Sequence, residues 1–175
     1  MAGWNLKESN LIEEELNYDK LEILIKNIKI SKKQNSYKYL LLLILLKSCK
    51  NNLKELEMLD ITKEIIIFYK TLLKKYNPNL KERQCLLYRN IINSDLQVME
   101  DDYIRKEFKF FENYVYGALA VDTEQIIFGF SKKLKKVYLN KNLGVSLCEK
   151  FFEVIFKDMI DEFFYEKKIK KERER

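Results

Sequence analysis

The chain has 175 residues, 47% apolar and 34% charged, with four Gly and one Pro, so it is neither disordered nor low-complexity and is long enough for one domain with a sizeable core. It contains no histidine, which excludes Ser-His and Cys-His nucleophile pairs, His-ligated zinc and nucleases that rely on a His base. The formal charge of +6 is unevenly spread, acidic from Glu8 to Glu22 and basic in the C-terminal half, and this asymmetry points the C-terminal half toward a polyanionic or acidic partner.

The opening MAGWNLKESN has no basic head before an apolar stretch, so no secretory leader and a cytoplasmic location are expected. Asp19 and Glu22 then stand at capping-box spacing, followed by Leu21, Leu24, Ile25 and Ile28 on one helical face. The longest apolar run, Tyr39 through Leu46 in SYKYLLLLILLKSC, has eight residues, whereas a bilayer crossing needs about 20, so no membrane insertion is expected. Its leucine content predicts a helix capped by Asn35 or Ser36. Such a helix, apolar nearly all round, belongs at the centre of a bundle with Lys38 and Lys47 reaching water at its ends.

Residues 62–76 carry an apolar stripe of Ile65, Phe68, Tyr69, Leu72, Leu73 and Tyr76 and stop at NPN. Asn79 with Glu82 starts a further helix bearing Cys85, Leu86 and Ile92, and Ile104, Phe108, Phe111 and Val115 mark another from Asp102. In YVYGALAVDTEQIIFGF a helix is the expected reading, with a short hairpin within 114–130, turning at Asp122 and Thr123, as its competitor. A last long helix from Ser146 buries Phe152, Ile155, Phe156, Met159, Ile160 and Phe163. The fold class expected is therefore all-α, a single compact bundle of six to eight helices over residues 1–166 around the central Leu-rich helix, with 167–175 as a charged helical extension or tail.

Gly3, Gly117, Gly129 and Gly144 are too dispersed to build a phosphate-cradling loop. The three cysteines, Cys49, Cys85 and Cys148, lie far apart and read as small buried apolar residues. For catalysis this leaves carboxylates. Glu100, Asp101 and Asp102, with Lys106, Glu107 and Lys109 nearby, form the one cluster that offers itself to magnesium, although three acids before a helix are also the ordinary N-terminal charge pattern. No cofactor is expected. The stretch FSKKLKKVYLNKN, residues 130–142, interleaves bases with aromatics as a single nucleic-acid strand requires. At helical spacing Phe130, Leu134, Val137 and Tyr138 form a buried stripe, leaving Lys132, Lys133, Lys135 and Lys136, and beyond them Lys141, on the wet face.

NSYKYLLLLILL, from Asn35, resembles a short motif in the helical lead-in region of bacterial HNH endonucleases; with no histidine to form the nuclease half, the resemblance implies an accessory helical module. The phenylalanine-rich C-terminal helix and the chain length are similar to those of small apoptosis-regulator-type bundles of large DNA viruses, which implies capture of a host signalling protein. NYVYGALAVD departs from that family in lacking its Trp-Gly-Arg centre. The expected function is non-enzymatic: a nucleic-acid-associated accessory or regulatory protein, in genome defence or its inhibition, whose partner is nucleic acid or a nucleoprotein complex. A helical protein–protein interaction module is the alternative, and a metal-dependent nuclease a distant third.

Overall fold

The computed structural model describes residues 6–93 and 100–167. Among these it has seven α-helices: α1 (Tyr18–Ile30), α2 (Tyr37–Lys50), α3 (Met58–Lys75), α4 (Leu86–Asn93), α5 (Glu100–Tyr114), α6 (Tyr116–Asp122) and α7 (Val145–Phe163). Six short strands accompany them: β1 (Glu8–Ser9), β2 (Glu55–Glu57), β3 (Tyr76–Pro78), β4 (Phe128–Ser131), β5 (Lys136–Leu139) and β6 (Phe164–Glu166). The protein is thus mostly helical but not all-α, since the strands form two small antiparallel sheets, β1-β4-β5-β2 and β3-β6. No described helix is long and apolar enough to cross a membrane.

The Leu-rich helix is central, as its composition implies. Leu40 through Leu46 are each at most 4% exposed, with α3, α6 and α7 packed around them. Lys47 reaches solvent, but Lys38 turns onto Asp122 with 2.8 Å between Nζ and Oδ2. Of the two expected caps, Asn35 accepts the Tyr37 N–H on its Oδ1 at 3.3 Å, whereas the Ser36 side chain caps nothing. Glu82 supplies the cap from a distant segment: its Oε2 accepts the Ser36 N–H at 2.9 Å and its Oε1 accepts the Ser36 hydroxyl at 2.5 Å and the Tyr69 hydroxyl at 3.2 Å. A helix end buried without water requires such partners for its free N–H groups.

A second buried carboxylate serves the next residue. Tyr37 donates its hydroxyl proton to Glu107 Oε2 at 3.1 Å and accepts the Leu87 N–H at 2.8 Å, while Asn90 donates to Glu107 Oε1 at 3.3 Å. Both glutamates are fully buried. Burial raises Glu82 above the usual carboxylate range against the opposing effect of its hydrogen bonds, and it pushes Glu107 up to about 7.

The other helices follow the expected faces with shifted ends. Asn17, not Asp19, caps α1, its Oδ1 accepting the Lys20 N–H at 2.8 Å. Helix α3 begins a turn before residue 62, and Tyr76 leaves it to open β3. Asn79 caps as expected, accepting the Glu82 N–H at 2.9 Å, but only a 3-10 turn follows before α4 starts at Leu86, and Ile92 is exposed. In α7, by contrast, the buried face is rotated from the expected one: Ile155, Met159 and Phe163 face the core as expected, but with Cys148 and Phe151, and Phe152, Phe156 and Ile160 are only partly buried. Of the charged tail expected at 167–175, residues 168–175 lie outside the described residues.

The larger correction concerns residues 114–142. Helix does run to Asp122, but Phe128 to Leu139 form a hairpin that turns at Lys132–Lys135 and not at Asp122 and Thr123. The expected helical stripe of Phe130, Leu134, Val137 and Tyr138 is replaced by period-two alternation: Phe128, Phe130, Val137 and Leu139 are buried, and Leu134 is 58% exposed. The hairpin is held on both edges, by β1 through Glu8 opposite Ser131 and by β2 through Glu57 opposite Lys136. Gly129 lets β1 close on it, because a Cβ there would lie 2.6 Å from the Ser9 carbonyl oxygen and 2.7 Å from the Leu11 nitrogen.

Gly129→Ala is expected to lower stability by about 1–3 kcal/mol, the usual range for overpacking, in urea unfolding. The pH dependence is expected to run opposite to that of a salt-bridged acid. Glu107 has its folded value raised from an ordinary 4.5 to about 7, so the folded state holds the extra proton between these values. Its contribution is fully present below the unfolded value and is lost as pH rises through the folded one, a difference on the order of 3 kcal/mol between pH 4 and pH 8. Urea melts of wild type and Glu107→Gln check this, the variant showing the flatter profile.

Candidate nucleic-acid interface

The hairpin turn is fastened at several points by its own residues. The Ser131 hydroxyl accepts the Leu134 N–H at 3.2 Å, and the Lys132 N–H donates to the Lys7 carbonyl at 2.9 Å. Lys135 has φ 56°, the left-handed region that an L side chain enters at a cost. That conformation aims its carbonyl at the first turn of α3, where it accepts the Met58 N–H at 2.9 Å. Its amine reaches α5, donating to Glu112 Oε1 and Oε2 at 2.7 and 2.6 Å and lying 5.7 Å from the centre of the Phe108 ring.

Between this turn, the start of α3 and the face of α5 runs an open groove of about 700 Å³. Leu59 and Phe108 supply its apolar surface. Among the described residues, Arg105, Lys106, Lys109 and Lys135 line it against two acids, Glu57 and Glu112. The three basic residues from α5 are all exposed. An amphipathic groove with cations at its edge and an aromatic ring in its wall is able to hold an extended anionic chain, with amines on phosphate and the ring against a base.

The expected lysines divide into groups with different roles. Lys132, Lys133, Lys135 and Lys136 are brought together at the turn and the start of β5, but Lys141 lies beyond the far end of β5 and does not join them. Lys135 is committed to Glu112, and Lys136 to Glu55 at 2.6 Å and Glu57 at 3.8 Å. The hydrogen bond donated to Glu55 raises the Lys136 amine above its ordinary value, whereas burial lowers that of Lys132, with Glu112 opposing. Lys133 is exposed. In the sequence nothing sets Arg105 apart, and Lys106 and Lys109 stand beside the carboxylate cluster; the i, i+4 spacing of Arg105 and Lys109 is the signal there for a basic helix face.

Glu100, Asp101 and Asp102 form the first turn of α5, and their side chains lie outside the described residues. Among the described residues no group of three or more Cys, Asp or Glu is placed to hold a metal ion. Comparison with protein-family models, with curated proteins and with solved structures gives no match.

The double role of Lys135 has a measurable consequence. Lys135→Ala is expected to destabilise by about 1 kcal/mol, through the loss of a partly exposed ion pair and its ring contact. Lys135→Gly is expected to be the less destabilising of the two, because glycine adopts positive φ without a Cβ clash. Parallel urea titrations of the two variants decide the order.

Proposed function

We propose that the protein is a non-enzymatic nucleic-acid-binding protein that takes up a single strand along the groove between the β4-β5 turn and α5. The observation that carries this reading is the convergence of bases from two distant segments, Arg105, Lys106 and Lys109 on α5 and Lys135 in the turn, along a groove walled by Phe108 and Leu59, with Lys133 exposed in the same turn. Each segment alone is a short run of solvated charge. Together they form a basic edge along an apolar surface, and that combination suits a polymer carrying both phosphates and bases. The ion-paired Lys135 and Lys136 support the shape of the site, and the exposed Arg105, Lys106, Lys109 and Lys133 supply its field. Binding without turnover agrees with a sequence that has no imidazole for acid-base work.

The test is fluorescence polarisation with labelled single-stranded oligonucleotides across a salt series. Log affinity is expected to fall linearly with log salt with a slope of about −3, as for roughly four phosphate contacts to a single strand. Reversal of Arg105, Lys106, Lys109 and Lys133 to Glu should weaken binding by about a hundredfold or more at fixed salt while leaving the unfolding midpoint near wild type. Glu112→Gln should act in the opposite direction and tighten binding, since it removes an acid from the groove. A flat salt response, or binding indifferent to the four reversals, rejects the proposal. Recovery of a bound protein that survives nuclease treatment would assign the groove to an acidic polypeptide.

A further inference from the structure

The C-terminal end of α2 and the first turn of α7 meet at a second groove, of about 480 Å³, lined by Leu46, Lys47, Lys50, Cys148, Glu149, Phe152 and Glu153. Cys49 lies between the groove residues Leu46 and Lys50 on α2, and its thiol is in hydrogen-bonding contact with that of Cys148. Both thiols are free. Residues 99 positions apart in the chain, read separately as small core residues, therefore form a facing pair beside an opening to solvent.

We propose that Cys49 and Cys148 are a redox pair which hydrogen peroxide converts to an intramolecular disulfide, joining α2 to α7. The two thiols have unequal roles. Cys148 stands in the first turn of a 19-residue helix and borders the groove, whose charged lining is balanced between Lys47 and Lys50 and the acids Glu149 and Glu153, with Lys50 paired to Glu149 at 2.8 Å. A helix N-terminus favours the thiolate, which is the reactive species. The hydrogen bond from Cys49 lowers the Cys148 thiol from its ordinary value, with burial opposing, and the same contact together with burial pushes Cys49 up. Cys148 is thus the attacking thiol and Cys49 the resolving one.

The chemistry is balanced with the peroxide as oxidant. The Cys148 thiolate attacks one peroxide oxygen, the O–O bond breaks, and the departing oxygen leaves as water after taking the thiol proton. This gives a sulfenic acid at Cys148. The Cys49 sulfur then attacks the Cys148 sulfur and expels its hydroxyl as a second water, the Cys49 proton completing that water. Two thiols and one peroxide become one disulfide and two waters, each sulfur losing one electron. Cys85 provides an internal comparison, since it is buried beside Glu82 and its thiol is pushed up to about 12.

The experiment treats the full chain with hydrogen peroxide, alkylates the remaining thiols and maps the peptides by mass spectrometry. The expected product is a monomer containing a Cys49–Cys148 cross-link that dithiothreitol reverses, with Cys85 still alkylated and oxidising at least about a hundredfold more slowly than Cys148. In Cys49→Ser the resolving thiol is missing, so dimedone should trap a sulfenic acid at Cys148 without a cross-link. In Cys148→Ser neither cross-link nor Cys49 adduct should form at that rate. The wild-type peptide map decides the question even if a variant folds poorly. Retention of all three free thiols, oxidation of Cys85 at the rate of Cys148, or disulfides only between chains would each overturn the proposal.

Discussion

The rest of the structure depends on the burial of α2 on all sides from Tyr39 to Leu46. A helix without a polar face loses its solvent-exposed side, so every neighbouring element must be apolar toward it and its N-terminus must find hydrogen-bond partners inside the protein. Glu82 meets that requirement at the Ser36 N–H and Glu107 accepts the buried Tyr37 hydroxyl, drawing the segment before α4 and the middle of α5 onto the start of the central helix. Each carboxylate is fully buried, which costs free energy unless its oxygens are satisfied, and each accepts from several donors. The same interactions that fix the entry of α2 therefore also fix where α5 lies and which of its faces is left for solvent.

That exposed face of α5 gives the hairpin its neighbour. The β4-β5 turn docks through Lys135, whose backbone serves α3 and whose amine serves Glu112 and Phe108. A lysine-rich turn is thereby divided between residues that hold the fold and residues that face water. Counting charge along the chain treats Lys132, Lys133, Lys135, Lys136 and Lys141 alike, but their neighbours do not. The field at the groove comes as much from Arg105, Lys106 and Lys109 as from the turn.

At its other end α2 leaves the core beside α7, where Cys49 and Cys148 face each other. The central helix thus bears on two separate surfaces, one reached indirectly through Glu107 and α5 and one directly at its last turn. The burial that makes its middle inert is relaxed only near Lys47 and Lys50.

By itself the sequence determined the central helix, the helical faces of α1, α3 and α5 and the absence of imidazole chemistry, because these depend on local periodicity and composition. Leu40 to Leu46 can only be satisfied by burial on all sides, whatever surrounds them. Tertiary structure alone decided the strands: β1, β2, β3 and β6 have two or three residues each, too few for a period to register, and they exist because a distant edge supplies their hydrogen bonds. Residues 130–139 satisfy a helical stripe and a strand alternation alike, and the edges offered by β1 and β2 select the hairpin. Partners were likewise outside the reach of sequence, since an ion pair such as Lys135–Glu112, a cap such as Glu82 on Ser36 and a contact such as Cys49–Cys148 all join side chains that only folding brings within a few ångströms.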